Sequence, residues 1–147
     1  MPLSPQGAAN LIISNGMTET EAARKRMIVI CDDNAALAAL MQHLLRKQGF
    51  SVLTAGDGSE GLDLLRATAP DLLLLDLAMP GTDGLAVLEA MRALEGKRPY
   101  TIVISGQEGK DARERATELG AKEVWKKPFN AAELISRIGA LIAQGAI

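Results

Sequence analysis

The chain has 147 residues, with 16 Lys plus Arg against 18 Asp plus Glu and a formal charge of −2. That length fits one domain with a substantial core, and 48% apolar with 23% charged residues is ordinary globular composition, which argues against wholesale disorder. The near-neutral balance lacks the footprint of a dedicated nucleic-acid binder, no apolar run nears the ~18 residues of a membrane span, and the single cysteine, Cys31, excludes a disulfide framework. A small soluble cytoplasmic domain is the expected class.

Residues 1–26 differ in texture from the rest and are read as an N-terminal tail or linker. Pro2, Pro5, Gly7, Asn10, Asn15 and Gly16 interrupt any regular element. A signal peptide is not supported, because the start lacks a basic region and its only apolar core is Leu11-Ile12-Ile13. Thr18 and Glu21 have capping-box spacing, which allows a short helix over Thr20–Arg26. Arg24-Lys25-Arg26 is read as a solvated face rather than a phosphate-binding patch. Met17 is an alternative start.

From Met27 the sequence alternates strand and helix. Met27–Cys31 is a continuous apolar run, as in a strand buried on both faces. A helix follows with Leu37, Leu40, Met41, Leu44 and Leu45 on its apolar stripe, stopped by Gly49. Phe50–Ala55 reads as the second strand and Ser59–Ala67 as the second helix, with Leu62 and Leu65 inward. Asp71–Asp76 is the third strand, bracketed by acids. A loop over Leu77–Asp83 leads into a helix from about Gly84 to Leu94, with Leu85, Leu88 and Met91 inward. Tyr100–Ile104, a weaker helix over Lys110–Leu119, a strand over Lys122–Lys126 and a last helix burying Leu134, Ile135, Ile138, Leu141 and Ile142 complete the pattern. Five β–α units with short joints predict a parallel sheet covered on both faces. Right-handed crossovers then gather every βα loop at the carboxyl edge of that sheet, where ligands bind in such folds.

Two candidate sites compete for that edge. Gly56, Gly58 and Gly61 form a G-x-G-x-x-G after a strand, with Asp76 about 20 residues on, which is the pattern of a dinucleotide site. Against it, a whole β–α unit precedes the motif and too little chain follows for two nucleotide-binding halves. The second candidate is dispersed: Asp32-Asp33 end the first strand, Asp76 the third, Ser105 the fourth and Lys127-Pro128 the fifth. Three clustered carboxylates persist only beside a cation or with a raised pKa. Oxygen-only donors favour a hard ion such as Mg²⁺, while His43 lies mid-helix facing solvent and no Cys/His set exists for zinc. Carboxylates, metal, lysine and hydroxyl together describe phosphoryl transfer.

The chain resembles the receiver domain of two-component response regulators from about Met27 to Ala143. The resemblance rests on Val29–Asp33, Asp71–Asp76, Met79-Pro80-Gly81 with Asp83-Gly84, Ile102–Gly106, Gly120-Ala121 and Lys126–Phe129. It implies an α/β, flavodoxin-like fold with strand order 2-1-3-4-5, spanning a domain over 27–147. It also implies that Asp76 is the phosphoacceptor toward a phosphohistidine donor and that Asp33 ligates Mg²⁺ directly, with Asp32 acting mainly through water. The Ala78 carbonyl would complete the metal set, Lys127 would pair with the phosphoryl group, and Ser105 would swing toward it. The Lys127-Pro128 bond is expected to be cis. One departure is Val124, where the family often places Tyr or Phe; Trp125 beside it is read as packing rather than an interaction surface. Ala78 and Gln107 stand where the family tunes phosphoryl lifetime.

The resemblance makes the chain a phosphorelay protein rather than an enzyme in its own right, partnered by a histidine kinase or histidine phosphotransferase. Because the sequence stops soon after the fifth helix, the expected form is a single-domain, chemotaxis-type regulator whose output is protein–protein contact, with no direct nucleic-acid or membrane binding. A receiver from a hybrid histidine kinase is the alternative, and a nucleotide-binding module the outsider.

Overall fold

The apolar runs and amphipathic stretches of the sequence form ten elements in the computed structural model, which describes residues 25–79, 81, 83–106 and 108–147. In chain order these are β1 (Met27–Cys31), α1 (Ala35–Lys47), β2 (Ser51–Ala55), α2 (Gly58–Thr68), β3 (Leu72–Asp76), α3 (Gly84–Met91), β4 (Tyr100–Ser105), α4 (Lys110–Glu118), β5 (Glu123–Lys126) and α5 (Ala131–Ala143). The strands form one parallel sheet in the order β2-β1-β3-β4-β5.

Side-chain alternation along the strands divides the core into two layers. Ile28, Ile30, Leu72, Leu74, Ile102 and Ile104 meet α1 and α5 through Met41, Leu45, Leu134 and Ile138. On the other face, Val29, Leu73, Leu75 and Val103 meet α2, α3 and α4 through Leu62, Leu65, Val87, Leu88 and Ala116. β1 and β3 are buried almost throughout, which is why both read as continuous apolar runs without alternation.

Most helices start where the sequence supplies an oxygen-bearing cap. Asn34, Asp57, Asp83 and Asn130 each accept the backbone N–H three residues on, at 2.8–3.1 Å. α4 starts at Gly109 with no side-chain cap and buries only Ala116, in keeping with its weak sequence pattern.

Several expectations need correction. Leu40 is 52% exposed, and Ala38 takes its place in the core. At about 100° per residue the buried face centres on Ala38, Met41 and Leu45, which puts Leu40 roughly 130° away. On α3, Leu88 and Met91 are buried and Leu85 packs on the core as expected, but Val87, not among the expected inward residues, is fully buried. Of the helix expected over Thr20–Arg26 only Lys25 and Arg26 are described, and neither is helical. Arg26 is also not solvated: it is 5% exposed, and its carbonyl accepts the Ser51 N–H at 3.0 Å as the chain enters β1. Met17, the capping box, Arg24, Pro80 and Gln107 lie outside the described residues.

A network that the sequence did not disclose fastens the β5 edge. Glu123 accepts from Tyr100 Oη at 2.6 Å, Trp125 Nε1 at 3.0 Å and Arg137 Nε at 2.9 Å. Burial pushes the Glu123 carboxyl up, but the bonds from Arg137, Tyr100 and Trp125 outweigh it and hold the group below its usual range. Trp125 packs on the α1/α5 layer and Val124 on the opposite one.

Gly61 lets α2 approach β1 closely: a Cβ there would stand 2.7 Å from Cys31 Sγ. Gly61→Ala should therefore destabilise the fold by about 1–3 kcal/mol through overpacking. Adding Cys31→Ala should recover part of that loss, so urea unfolding of the two single variants and the double should reveal non-additivity; simple addition of the two costs would disprove the clash.

Candidate phosphoryl-transfer site

β1 and β3 are neighbours and β5 lies two strands beyond, so their carboxyl ends bring Asp32, Asp33, Asp76 and Lys127 to one place. Carboxylate oxygens of Asp32, Asp33 and Asp76 lie within 4.8 Å of one another. Asp76 is 4% exposed and Asp32 7%, while Asp33 faces solvent. At this spacing each pair of ionised carboxylates repels by about 3–4 kcal/mol at an effective dielectric of about 20.

Lys127 offsets part of that repulsion. Its Nζ stands 3.2 Å from Asp32 Oδ2 and 3.2 Å from Asp76 Oδ2. Burial pushes the ammonium down, but Asp76 and then Asp32 outweigh it and hold it above its ordinary value. The backbone sets its reach: Lys127 N donates to Ser105 O at 2.7 Å, and the Lys127–Pro128 bond is cis, as the resemblance implied. For Asp76, burial dominates and raises the carboxyl to about 6, against the opposing pull of the Ala78 N–H and Lys127.

The oxygens differ in what they have left to offer. Asp76 Oδ1 accepts from Ala78 N at 3.1 Å, and Asp32 Oδ1 from Asn34 N at 2.9 Å. Ser105 is fully buried, and its Oγ has no hydrogen-bond partner among the described residues. A buried hydroxyl without a partner costs about 1–3 kcal/mol. With three carboxylates against one ammonium, the cluster also keeps surplus negative charge. All-oxygen donors of this kind suit a hard divalent cation, and the unpartnered hydroxyl suits an anion brought to it.

Close packing fixes the acid in place. A Cβ on Gly84 would stand 2.5 Å from the Asp76 carbonyl oxygen and 2.7 Å from Leu77 Cα, so only glycine lets α3 start against the end of β3. Asp83 caps the helix one residue earlier, which accounts physically for the Asp83-Gly84 pair.

The glycine motif does not make a nucleotide site. The Asp57 carboxylate already takes the Glu60 N–H at 2.8 Å, at the helix terminus a pyrophosphate would need. Gly61 is filled by Cys31, and Asp76 ends β3, which is separated from β2 by β1. Cys31 Sγ is engaged by Asp57 O at 3.4 Å and Met79 Sδ at 3.5 Å. His43 is exposed on α1, as expected. One contact at this edge went unread: the Glu108 carboxylate accepts the Gly106 N–H at 3.1 Å, and nothing but an acid two residues on signalled it.

Comparison with known proteins agrees with this geometry. Residues 28–139 match the response regulator receiver domain family. The chain is 40% identical over 124 residues to the transcriptional regulatory protein PrrA of Mycobacterium leprae, covering 84% of this chain and 52% of PrrA, so it spans about half the length of that relative. Among solved structures, the response regulator receiver domain from Bermanella marisrubri is 30% identical with a TM-score of 0.74, over 81% of this chain and 99% of that one. The receiver domain of a signal transduction histidine kinase from Syntrophus aciditrophicus is 26% identical with a TM-score of 0.72, over 81% and 91%. A parallel sheet in the order 2-1-3-4-5, an acid triad at its carboxyl edge and a lysine across it thus coincide with the sequence match: the chain belongs to the response regulator receiver domain family, the phosphoacceptors of two-component signalling.

Proposed function

We propose that Asp76 accepts the phosphoryl group, taking it from a phosphohistidine on a histidine kinase or histidine phosphotransferase. The observation that carries this reading is the buried Asp76 carboxylate held 3.2 Å from Lys127 Nζ. A carboxylate oxygen of Asp76 forms the new P–O bond as the P–N bond of the donor breaks. The electron pair returns to the imidazole nitrogen, which takes up a proton. Lys127 neutralises charge on the transferred group, and Ser105 Oγ gains the acceptor it lacks.

Mg²⁺ fits the cluster, with Asp33, Asp76 and the Ala78 carbonyl as direct ligands and Asp32 acting mainly through water. Asp33 has no hydrogen bond among the described residues, which leaves both of its oxygens available, whereas Asp32 is engaged by Lys127 and Asn34 N. When bound, the ion would screen the acids and polarise the phosphoryl oxygens. The chain is consumed and restored in this cycle, so it is a relay rather than a turnover enzyme.

Output is assigned to protein–protein contact by the surface of the last two β–α units. β4 and Lys127 are joined by the Lys127 N to Ser105 O bond, so a shift of Ser105 toward a phosphoryl group strains that joint. A second reading, a receiver within a hybrid histidine kinase, is favoured by the likeness to the Syntrophus kinase domain. On either reading the site chemistry is the same, with residues 1–26 acting as tail or linker.

Acetyl phosphate with Mg²⁺ should add the mass of one phosphoryl group to the intact protein, and Asp76→Asn should abolish the addition. Retained phosphorylation of that variant would refute Asp76 as acceptor. Beryllofluoride with Mg²⁺ should alter the fluorescence of Trp125, the only tryptophan, and Lys127→Ala should suppress the change.

A pH dependence follows from the raised carboxyl. Without metal, Asp76 should titrate near pH 6 by carboxyl-carbon NMR, and labelling should fall as pH drops through that value because the protonated acid is a poor nucleophile. The sign for stability is the opposite. A carboxyl raised in the fold adds stability that is complete below the ordinary carboxylate range and is lost as pH rises through about 6. Asp76→Asn should therefore raise the melting temperature more at pH 8 than at pH 5; an equal effect at both would contradict the raised value.

A further inference from the structure

The amino edge of the sheet, opposite Asp76, carries a feature that phosphoryl transfer does not use. Two cavities of about 360 and 170 Å³ lie side by side there and share Met91, Arg98 and Pro99 in their walls. The larger has a floor of Leu88, Met91 and Leu119, and the smaller is floored by Leu65 and Leu94. Arg92, Arg98 and Lys122 rim the first and Arg66, Lys97 and Arg98 the second. Among the described residues Glu95 is the only acid lining either one, in a chain whose net charge is −2.

Helix ends explain only part of this. Arg66 closes α2 and Arg92 caps α3, where cations offset the carbonyl dipoles. In the α3–β4 loop, Arg98 bonds the carbonyl of the α3 cap and Lys97 pairs with buried Asp71, whereas Lys122, in the α4–β5 loop, has no helix terminus of its own to satisfy. Arg98 is held in place by its bond to the Arg92 carbonyl at 2.6 Å, which sets its guanidinium on the wall between the cavities.

We propose that this groove docks an extended acidic segment of a partner protein, with one apolar side chain seated in each cavity and carboxylates on the rim. An apolar floor inside a charged rim is the usual anatomy of a protein interface. An extended strand points alternate side chains the same way, which allows one segment to fill both cavities across the Arg98–Pro99 wall. The aliphatic floors favour a peptide over a nucleic acid, whose phosphates would use the rim alone. The groove and Asp76 lie on opposite edges of the sheet, so a partner held here leaves the phosphoryl site open.

The test is fluorescence anisotropy with the full chain and a fluorescein-labelled peptide that alternates glutamate with leucine. Binding should weaken as salt rises and fall about tenfold in the variant combining Arg92→Gln with Lys122→Gln. Both side chains are exposed, so that variant should stay folded, with at most a small drop in melting temperature from the lost cation at the end of α3, and keep its phosphorylation by acetyl phosphate. In amide NMR the peptide should shift Gly120 and Lys122 and leave Gly106 in place. The proposal is overturned by any of four results: no binding; equal binding by the double variant; equal binding of a peptide with serine for leucine; or tighter binding of duplex DNA than of the peptide. Sedimentation showing that the groove instead closes on a second copy of the chain, with the same double variant breaking the dimer, would overturn it too.

Discussion

Everything at the carboxyl edge depends on one ammonium group held between two buried carboxylates. Lys127 Nζ lies 3.2 Å from both Asp32 and Asp76, and so ties the end of β5 to the ends of β1 and β3. Without it the acids would repel strongly in a region where water is largely excluded. With it the balance is still short of neutral, and burial, with a smaller push from Asp32, raises the Asp76 carboxyl to about 6. The site is thus built incomplete: it has too much negative charge for its one lysine, and a buried Ser105 hydroxyl that nothing yet engages. A cation relieves the first shortage and a phosphoryl group the second.

Much of the fold was legible because the two periodicities in the sequence are strong. Continuous runs such as Leu72–Leu75 can only be interior strands in a chain of this size, and Leu134, Ile138 and Leu141 could face only one way on α5. The failures have a common physical origin. Leucine reads as inward wherever it falls near the stripe, yet burial is set by angle, so the small Ala38 is buried and the larger Leu40 is not. Arg26 reads as solvated in a run of three cations, but an arginine at the mouth of an interior strand is drawn in with its backbone.

The acid cluster was readable from strand ends because a parallel sheet has only one carboxyl edge. What could not be read were contacts whose members are scattered and individually ordinary. Glu123 with Tyr100, Trp125 and Arg137 is one case, and Asp57 capping α2 within the glycine motif is another. The second matters for function: a single carboxylate at a helix start separates a packing motif from a phosphate cradle, and the spacing of glycines is blind to it. Gly61 and Gly84 have the same lesson from the other side, since each is required by a neighbour distant in sequence.

The entry to β1 and the end of the chain meet. Arg26 Nη2 reaches the carbonyl of Ile147 at 3.5 Å, across 121 positions of sequence. The first strand therefore begins close to where residue 147 lies, on the side of the sheet away from the phosphoryl site. A cut made in an exposed loop elsewhere, with residues 26 and 147 joined by a short linker, should leave the same sheet order standing. Equally, a segment that leaves the fold at Arg26 or at Ile147 leaves it at the amino edge of the sheet, on the side away from Asp76.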